Sequence, residues 1–307
     1  MEFSPLEAAR HSLLIGDLDA AWSAAELNIQ RLGDVESSEL WGFRFVHSEV
    51  MRIRGRIEQA LDYLESLPSP SSEDLENCIA FKMHRGYCAG LLSRFGVGHK
   101  LLAEAKETSV NAKLLALIGD IQLRQAMVFF LQRKFDAADE TYREVLELSK
   151  QVGGWYLHAA AHAGIGKVLM IQDHHREAIP WFEKAYKINE EQGVWYQTAR
   201  LSSELAVCYL GLGDPDKSLE FFQRAERVML QIGAIPNYQV CVANIGNVYL
   251  YRGEYGTAIE HYQRALAMAR EIKDPVSIGK WTHNLNIAYS RLKEQTERQG
   301  SENVRAS

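Results

Sequence analysis

The sequence predicts an all-α chain of repeated helical hairpins, and three observations carry that prediction. Equivalent residues recur every forty positions over most of the 307-residue chain. Within a repeat, the apolar residues keep helical spacing: Ala258, Tyr262 and Ala265 fall on one face of a helix. No long run of alternating β-branched residues is present to make strands.

The repeat is clearest near the C-terminus and can be followed backwards. Asn244-Ile-Gly-Asn-Val-Tyr249 is followed by Gly253-Glu-Tyr255, Ala258, Tyr262 and Ala265. Forty residues earlier stand Glu204-Leu-Ala-Val-Cys-Tyr209, Gly213, Ser218, Phe222 and Ala225. The same step reaches Gly164 to Leu169 with His175, Ala178, Phe182 and Ala185. Two further steps reach Ala126, Phe129, Phe135, Ala138 and Tyr142, and then Gly86, Ala89, Phe95, Gly98 and Leu102. Upstream the frame slips by a residue or two, through Ser48, Gly55, Ala60 and Leu64, and then Ala9, Gly16, Ala21 and Ala25.

These units place helical hairpins at about 5–30, 41–67, 75–107, 114–150, 155–191, 195–231 and 236–272, a closing helix at 276–293 and a disordered tail at 294–307. Gly213-Asp-Pro and Gly253-Glu-Tyr are breakers between helices, with Pro215 suited to the first turn of the next helix. The small residues Gly86, Ala126, Gly166, Ala206 and Gly246 mark where the first helix of a hairpin must approach its neighbour closely. Pro236 and Pro275 are expected in turns between hairpins, and Pro180 is expected to distort the helix it interrupts. In the Pro/Ser-rich stretch 67–74, Ser71 or Ser72 is expected to cap the next helix.

Composition excludes several classes. Apolar residues make up 47% of the chain, too many for a disordered protein. The balance of 34 basic and 40 acidic residues gives a net charge of −6, without the basic excess of a nucleic-acid binder. The apolar stretch from Ala159 to Ile171 is broken by His162, Gly164 and Lys167, so no membrane partner is expected. Cys78, Cys88, Cys208 and Cys241 are widely spaced with no CxxC pair, and no signal peptide is evident at the start. Both point to the reducing cytoplasm.

The pattern of small, aromatic, Gly, aromatic, Ala, aromatic and Ala positions resembles the tetratricopeptide repeat, over roughly residues 5–293. The usual period of that family is about 34 residues, so each unit here is longer. The extra residues are expected in extended turns between hairpins, around Trp155 and Trp195, themselves forty apart. Long-period arrays of this kind are similar to those of kinesin light chains and to the bacterial arms that precede CHAT-type proteases. The resemblance implies a right-handed superhelical solenoid of about seven hairpins plus a closing helix, with a concave groove lined by the first helix of each hairpin.

The resemblance also implies what the groove would hold. One column of inward positions runs His84, Arg124, Gly164, Glu204, Asn244 and Asn284; a second includes Glu49, Tyr87, Met127, Lys167 and Asn247; a third includes Asp120, Arg200 and Lys280. The site expected from these is peptide-binding, made by Asn244, Asn247, Asn284, Arg200, Lys167, Arg124, Lys280, Glu204 and Tyr251. An asparagine amide offers both donor and acceptor to an extended main chain. The basic residues would hold acidic side chains or a terminal carboxylate.

Other motifs read as packing. His158 and His162 have a metal-compatible spacing but no third ligand, and Gly164-Ile-Gly-Lys167 lacks a phosphate-loop frame. No catalytic set, metal or cofactor is expected. The function expected is therefore a non-enzymatic scaffold for a protein or peptide. The alternatives are a regulatory arm for a protease or signalling partner outside this chain, and a sensor of short signalling peptides. Trp281 and Tyr289, taken as exposed on the closing helix, offer a route to self-association.

Overall fold

The computed structural model describes residues 3–33 and 35–306. Among these, the secondary structure is helical throughout: α1 Pro5–Ile15, α2 Leu18–Leu32, α3 Ser38–Ile53, α4 Ile57–Ser66, α5 Leu75–Leu91, α6 Phe95–Asn111, α7 Leu115–Leu131, α8 Phe135–Val152, α9 Trp155–Ile171, α10 His175–Glu191, α11 Trp195–Gly211, α12 Pro215–Gln231, α13 Ile235–Tyr251, α14 Tyr255–Glu271 and α15 Pro275–Ala306. Odd-numbered helices open each hairpin and even-numbered helices close it. Among the described residues these helices make seven hairpins and a closing helix, a helical solenoid. It divides into two compact units, one ending at Leu201 and one beginning at Ser202, within α11.

From α5 onward the architecture repeats every twenty residues as well as every forty. From α5 to α14, helices of 17 residues, 18 in α8, alternate with links of at most three residues, both inside a hairpin and between hairpins. Each link carries a residue in the left-handed region: Ser93, Lys113, Arg133, Gly153, Asp173, Gly193, Gly213, Gly233, Gly253 and Lys273, with φ between 56° and 78°. In most links the next amide closes a six-residue loop back onto the preceding helix, as in Arg94 to the Ala89 carbonyl and Ala234 to Met229. This bond and left-handed residue stop a helix without leaving its last carbonyls unpaired. The residues beyond the usual repeat length therefore lie in longer helices. The expectation of extended turns around Trp155 and Trp195 is corrected, since both residues begin helices.

In the first unit, odd helices touch successive odd helices (α3 with α5, α5 with α7, α7 with α9) as well as their even partners. In the second, α13 meets α15 in the same way. The core fills the space between the odd and even layers, with Tyr142, Val145, Leu157, Ala161 and Ile165 in one cluster and Ile79, Met83, Leu102 and Ile121 in another. The small residues act as expected. A Cβ on Gly98 would lie 3.0 Å from the Gly86 carbonyl and 3.1 Å from the Gly90 backbone, so α5 and α6 cross at backbone contact. A Cβ on Gly246 would meet the Tyr262 ring at 2.9 Å.

Several local expectations change. Asp74, rather than Ser71 or Ser72, caps α5 by accepting from the Asn77 amide. Pro236 and Pro275 sit in the first turns of α13 and α15, where a missing amide proton costs little. α10 continues unbroken through Pro180. The closing helix extends through 294–306, which were expected to be disordered, while Ser307 lies outside the described residues. Trp281 is 1% exposed, buried with its Nε1 donating to Gln239 Oε1 at 2.8 Å, so it offers no surface for another copy. Tyr289 remains exposed.

Candidate functional site

The odd helices of the first unit present a linked set of charged and aromatic side chains. On α3, the three-residue spacing of Glu49 and Arg52 puts both on one face, where Arg52 Nε and Nη2 donate to Glu49 Oε2 at 3.1 and 2.7 Å. On α5, His84 Nδ1 donates to Glu49 Oε1 at 3.0 Å, which fills the second carboxylate oxygen. The Tyr87 ring, also on α5, lies 5.5 Å from the guanidinium of Arg52 and 5.5 Å from that of Arg124 on α7. Arg124 reaches its own helix only loosely, with Nη1 at 3.4 Å from the Asp120 carbonyl and 3.8 Å from Asp120 Oδ1. Tyr156 on α9 and Tyr196 with Arg200 on α11 continue the face. Arg200 Nη1 donates to Gln197 at 2.9 Å.

The electrostatics of this face follow from partial burial. Burial pushes the Glu49 carboxyl up, but the Arg52 charge and the His84 hydrogen bond outweigh it and hold the group well below the usual carboxylate range. Burial lowers His84, against the pull of Glu49, so the imidazole is neutral at pH 7. Burial also raises Asp120, opposed by Arg124, and pushes the Tyr156 hydroxyl up to about 12.

The second unit has a different face. Asn247 Oδ1 accepts from Tyr262 Oη at 2.7 Å and from Asn284 Nδ2 at 3.1 Å, and its Nδ2 donates to Asn244 Oδ1 at 3.1 Å. The three expected asparagines thus meet, tied to one another across α13 and α15. Tyr251 is 59% exposed, with its hydroxyl 3.2 Å from where a Cβ on Gly213 would sit. Lys280 lies over the Trp281 ring at 4.7 Å, and the half-buried Glu204 lies near Cys208.

Of the other expected residues, Arg124 and Arg200 join the first-unit face, while Lys167 packs 5.5 Å from the Phe130 ring. Sequence reasoning missed Arg52, Tyr156 and Tyr196. Tyr156 and Tyr196 do share the forty-residue step, whereas Arg52 has no counterpart at that spacing. The His158–His162 pair has its Nε2 atoms 3.2 Å apart, and Ser149 stands 2.9 Å from His158 Nδ1. Among the described residues, no three His, Cys, Asp or Glu side chains converge to hold a metal ion. No helix among them is long and apolar enough to cross a membrane.

Comparison with known families agrees with this architecture. Residues 117–191 and 157–231 match one tetratricopeptide repeat profile, and residues 241–276 match a second. The chain is a tetratricopeptide repeat protein. A relative, human tetratricopeptide repeat protein 19, mitochondrial, is 28% identical over 150 residues, 48% of this chain and 39% of that protein. The tetratricopeptide chain thus matches about two fifths of that relative's length. Among solved structures, a Rap protein complexed with Competence and Sporulation Factor covers 98% of this chain and 88% of its own, with 17% identity and a TM-score of 0.63. A Signal Transduction ATPase with Numerous Domains that has a tetratricopeptide repeat sensor, from Pyrococcus horikoshii, covers 97% of this chain and 51% of its own. Its identity is 15% and its TM-score 0.57. These likenesses show the fold.

Proposed function

We propose that this tetratricopeptide array is a non-catalytic scaffold that holds a peptide or protein segment on the odd-helix faces of its two units. The observation that carries the reading is the polar and aromatic lining of those faces, where an apolar lining would merely extend the core. In the second unit, Asn244 Nδ2 and Asn284 Oδ1 take no partner among the described residues, leaving a donor and an acceptor for a ligand main chain. In the first unit, Arg124 and Arg200 supply positive charge, and we assign Lys167, Glu204, Tyr251 and Lys280 to the margins of the two faces. The four free cysteines support the cytoplasm as its location.

The test is the triple variant Asn244→Ala, Asn247→Ala, Asn284→Ala in affinity capture from the native lysate, with helicity followed by circular dichroism. A partner held by the wild type should be lost by the variant. Capture that is unchanged, with helicity retained, would overturn the assignment of these asparagines.

A second reading is a sensor arm that responds to a short signalling peptide and controls an effector, protease-type or otherwise, outside this chain. It is favoured by the complex named for the Rap structure and by the sensor role named for the Pyrococcus protein. Under it, ligand addition changes the activity of a co-purifying effector. Under the plain scaffold reading, it only recruits one.

A further inference from the structure

Resting on the scaffold reading, we infer that Tyr142 is a contact of the bound segment, reaching the odd-helix face of the first unit from an even helix and presenting its hydroxyl to the ligand main chain. The position belongs to a series with one member per hairpin on the even helices: Leu102, Tyr142, Phe182, Phe222 and Tyr262. All five are buried, at 3% exposure or less. Packing there needs no hydroxyl, since Phe182 and Phe222 fill the same place fully buried. A hydroxyl in that place must find a partner or keep contact with water. Tyr262 has found a partner, donating to Asn247 Oδ1 at 2.7 Å. Tyr142 has not: its hydroxyl takes no hydrogen bond among the described residues. Its oxygen is not one of the enclosed polar atoms left without a partner, so the hydroxyl of this buried side chain stays open to solvent.

The repeat register shows where that hydroxyl opens. Three repeats before Asn247, Asn284 and Asn244 stand Met127, Gly164 and Arg124. The amide that holds Tyr262 is thus replaced beside Tyr142 by a thioether, at most a weak acceptor. The amide of Asn284 has no counterpart, because Gly164 carries no side chain. A Cβ on Gly164 would lie 2.4 Å from Cδ1 and Cε1 of Tyr142 and 2.5 Å from its Cζ, so the ring fills the start of the path a side chain at 164 would take. Other members of that column, Arg124 and Asn284, reach the odd-helix faces, and at 164 the tyrosine takes the column's place. Burial raises the Tyr142 pKa, with Tyr87 adding to the rise and Arg200 opposing it, so the hydroxyl is neutral at pH 7. A neutral phenol donates one hydrogen bond and accepts another, which suits the carbonyl and amide of an extended main chain. The first unit thereby gains the uncharged contact that we assign to Asn244 and Asn284 in the second.

The experiment uses the full chain and a C-terminally amidated pool of random heptapeptides with a neutral coumarin label at the N-terminus. Tyrosine is labelled with carbon-13 at Cζ, whose shift reports hydrogen bonding of the attached hydroxyl, and Tyr142→Phe identifies the Tyr142 signal by its loss. Addition of the pool should move that signal in the wild type. Retention on immobilised protein should fall about fivefold in Tyr142→Phe, the worth of one hydrogen bond, with melting and circular dichroism as in the wild type. Tyr262→Phe is the control, since it breaks a bond made within the chain, and its melting temperature should fall.

Equal retention by the wild type and Tyr142→Phe, or a Tyr142 signal that stays still, would overturn the contact while leaving the scaffold reading in place. So would a melting temperature that falls in Tyr142→Phe as far as in Tyr262→Phe, because the chain itself would then hold the hydroxyl. Retention of no peptide by the wild type would remove the scaffold reading, and the contact with it.

Discussion

The odd-helix faces of the two units solve one problem with different chemistry. In the first unit, ionised groups are drawn into partial burial and must be matched: Glu49 by Arg52 and His84, Arg124 by a distant Asp120 and the Tyr87 ring. In the second, neutral amides and a phenol close a short hydrogen-bonded chain from Tyr262 through Asn247 to Asn244 and Asn284. The difference teaches where each face is vulnerable. A charged network loses heavily when one member is removed, because the survivor stays buried and unpaired. A neutral chain loses about one hydrogen bond per member.

The largest contrast should come from Glu49→Ala. It strands Arg52 and takes the partner of His84, so the first unit should lose about 3 kcal/mol. Hydrogen exchange in α3 to α7 should then accelerate roughly a hundredfold, with α13 to α15 unaffected. An equal change in both units would contradict the separation of the two faces.

Acidification comes next. Burial holds His162 at about 4 against an ordinary 6.5, and burial lowers His84 and His47 as well. Each is neutral when folded, whereas the unfolded chain takes up the proton. The stabilisation is therefore complete above about pH 6.5 and is lost as the pH falls toward the folded values. In the second unit only His261 is lowered in this way among the described residues. Between pH 7 and pH 4 the first unit should lose on the order of 2 kcal/mol more than the second, measured as unit-resolved exchange. His162→Gln should flatten part of that dependence; a steeper loss in the second unit would refute the assignment.

Asn247→Ala sharpens the other side. It leaves the Tyr262 hydroxyl and the Asn284 amide without their acceptor, at about 1–2 kcal/mol, in the second unit alone. The smallest effect is expected at the links. Lys113 holds φ at 58° with a side chain that disfavours it. Lys113→Gly should stabilise the first unit by about 0.5–1 kcal/mol, and a melting curve that falls would count against that reading.

The fold was legible because the forty-residue recurrence rests on core positions such as Gly246, Tyr262 and Ala265, which packing constrains. The twenty-residue period was hidden because it resides in backbone conformation. Ser93, Lys113, Arg133, Asp173 and Lys273 adopt the left-handed region that glycine would have announced. The same blindness made the segments before Trp155 and Trp195 read as long turns. The asparagine cluster was legible since its members share the repeat register. The first-unit network was only half visible, because Arg52, Tyr87, Arg124 and Tyr156 occupy different heights on successive helices. No fixed step connects them, and their meeting depends on how α3, α5, α7 and α9 pack side by side. Trp281 was misread because it is buried with its indole N–H donating to the Gln239 amide, a partner no hydrophobic pattern reports.

The even spacing of the left-handed links also makes the chain divisible. Removing forty residues from one link to the next equivalent one, such as 155–194, brings an odd helix onto an even helix in the original order. Removing twenty would place an odd face against an odd face and put the small residues opposite the wrong neighbours. The array can thus be shortened or lengthened by whole hairpins with the remaining interfaces preserved, so a cut at Gly153 or Gly193 is a joint at which a library of lengths could be assembled.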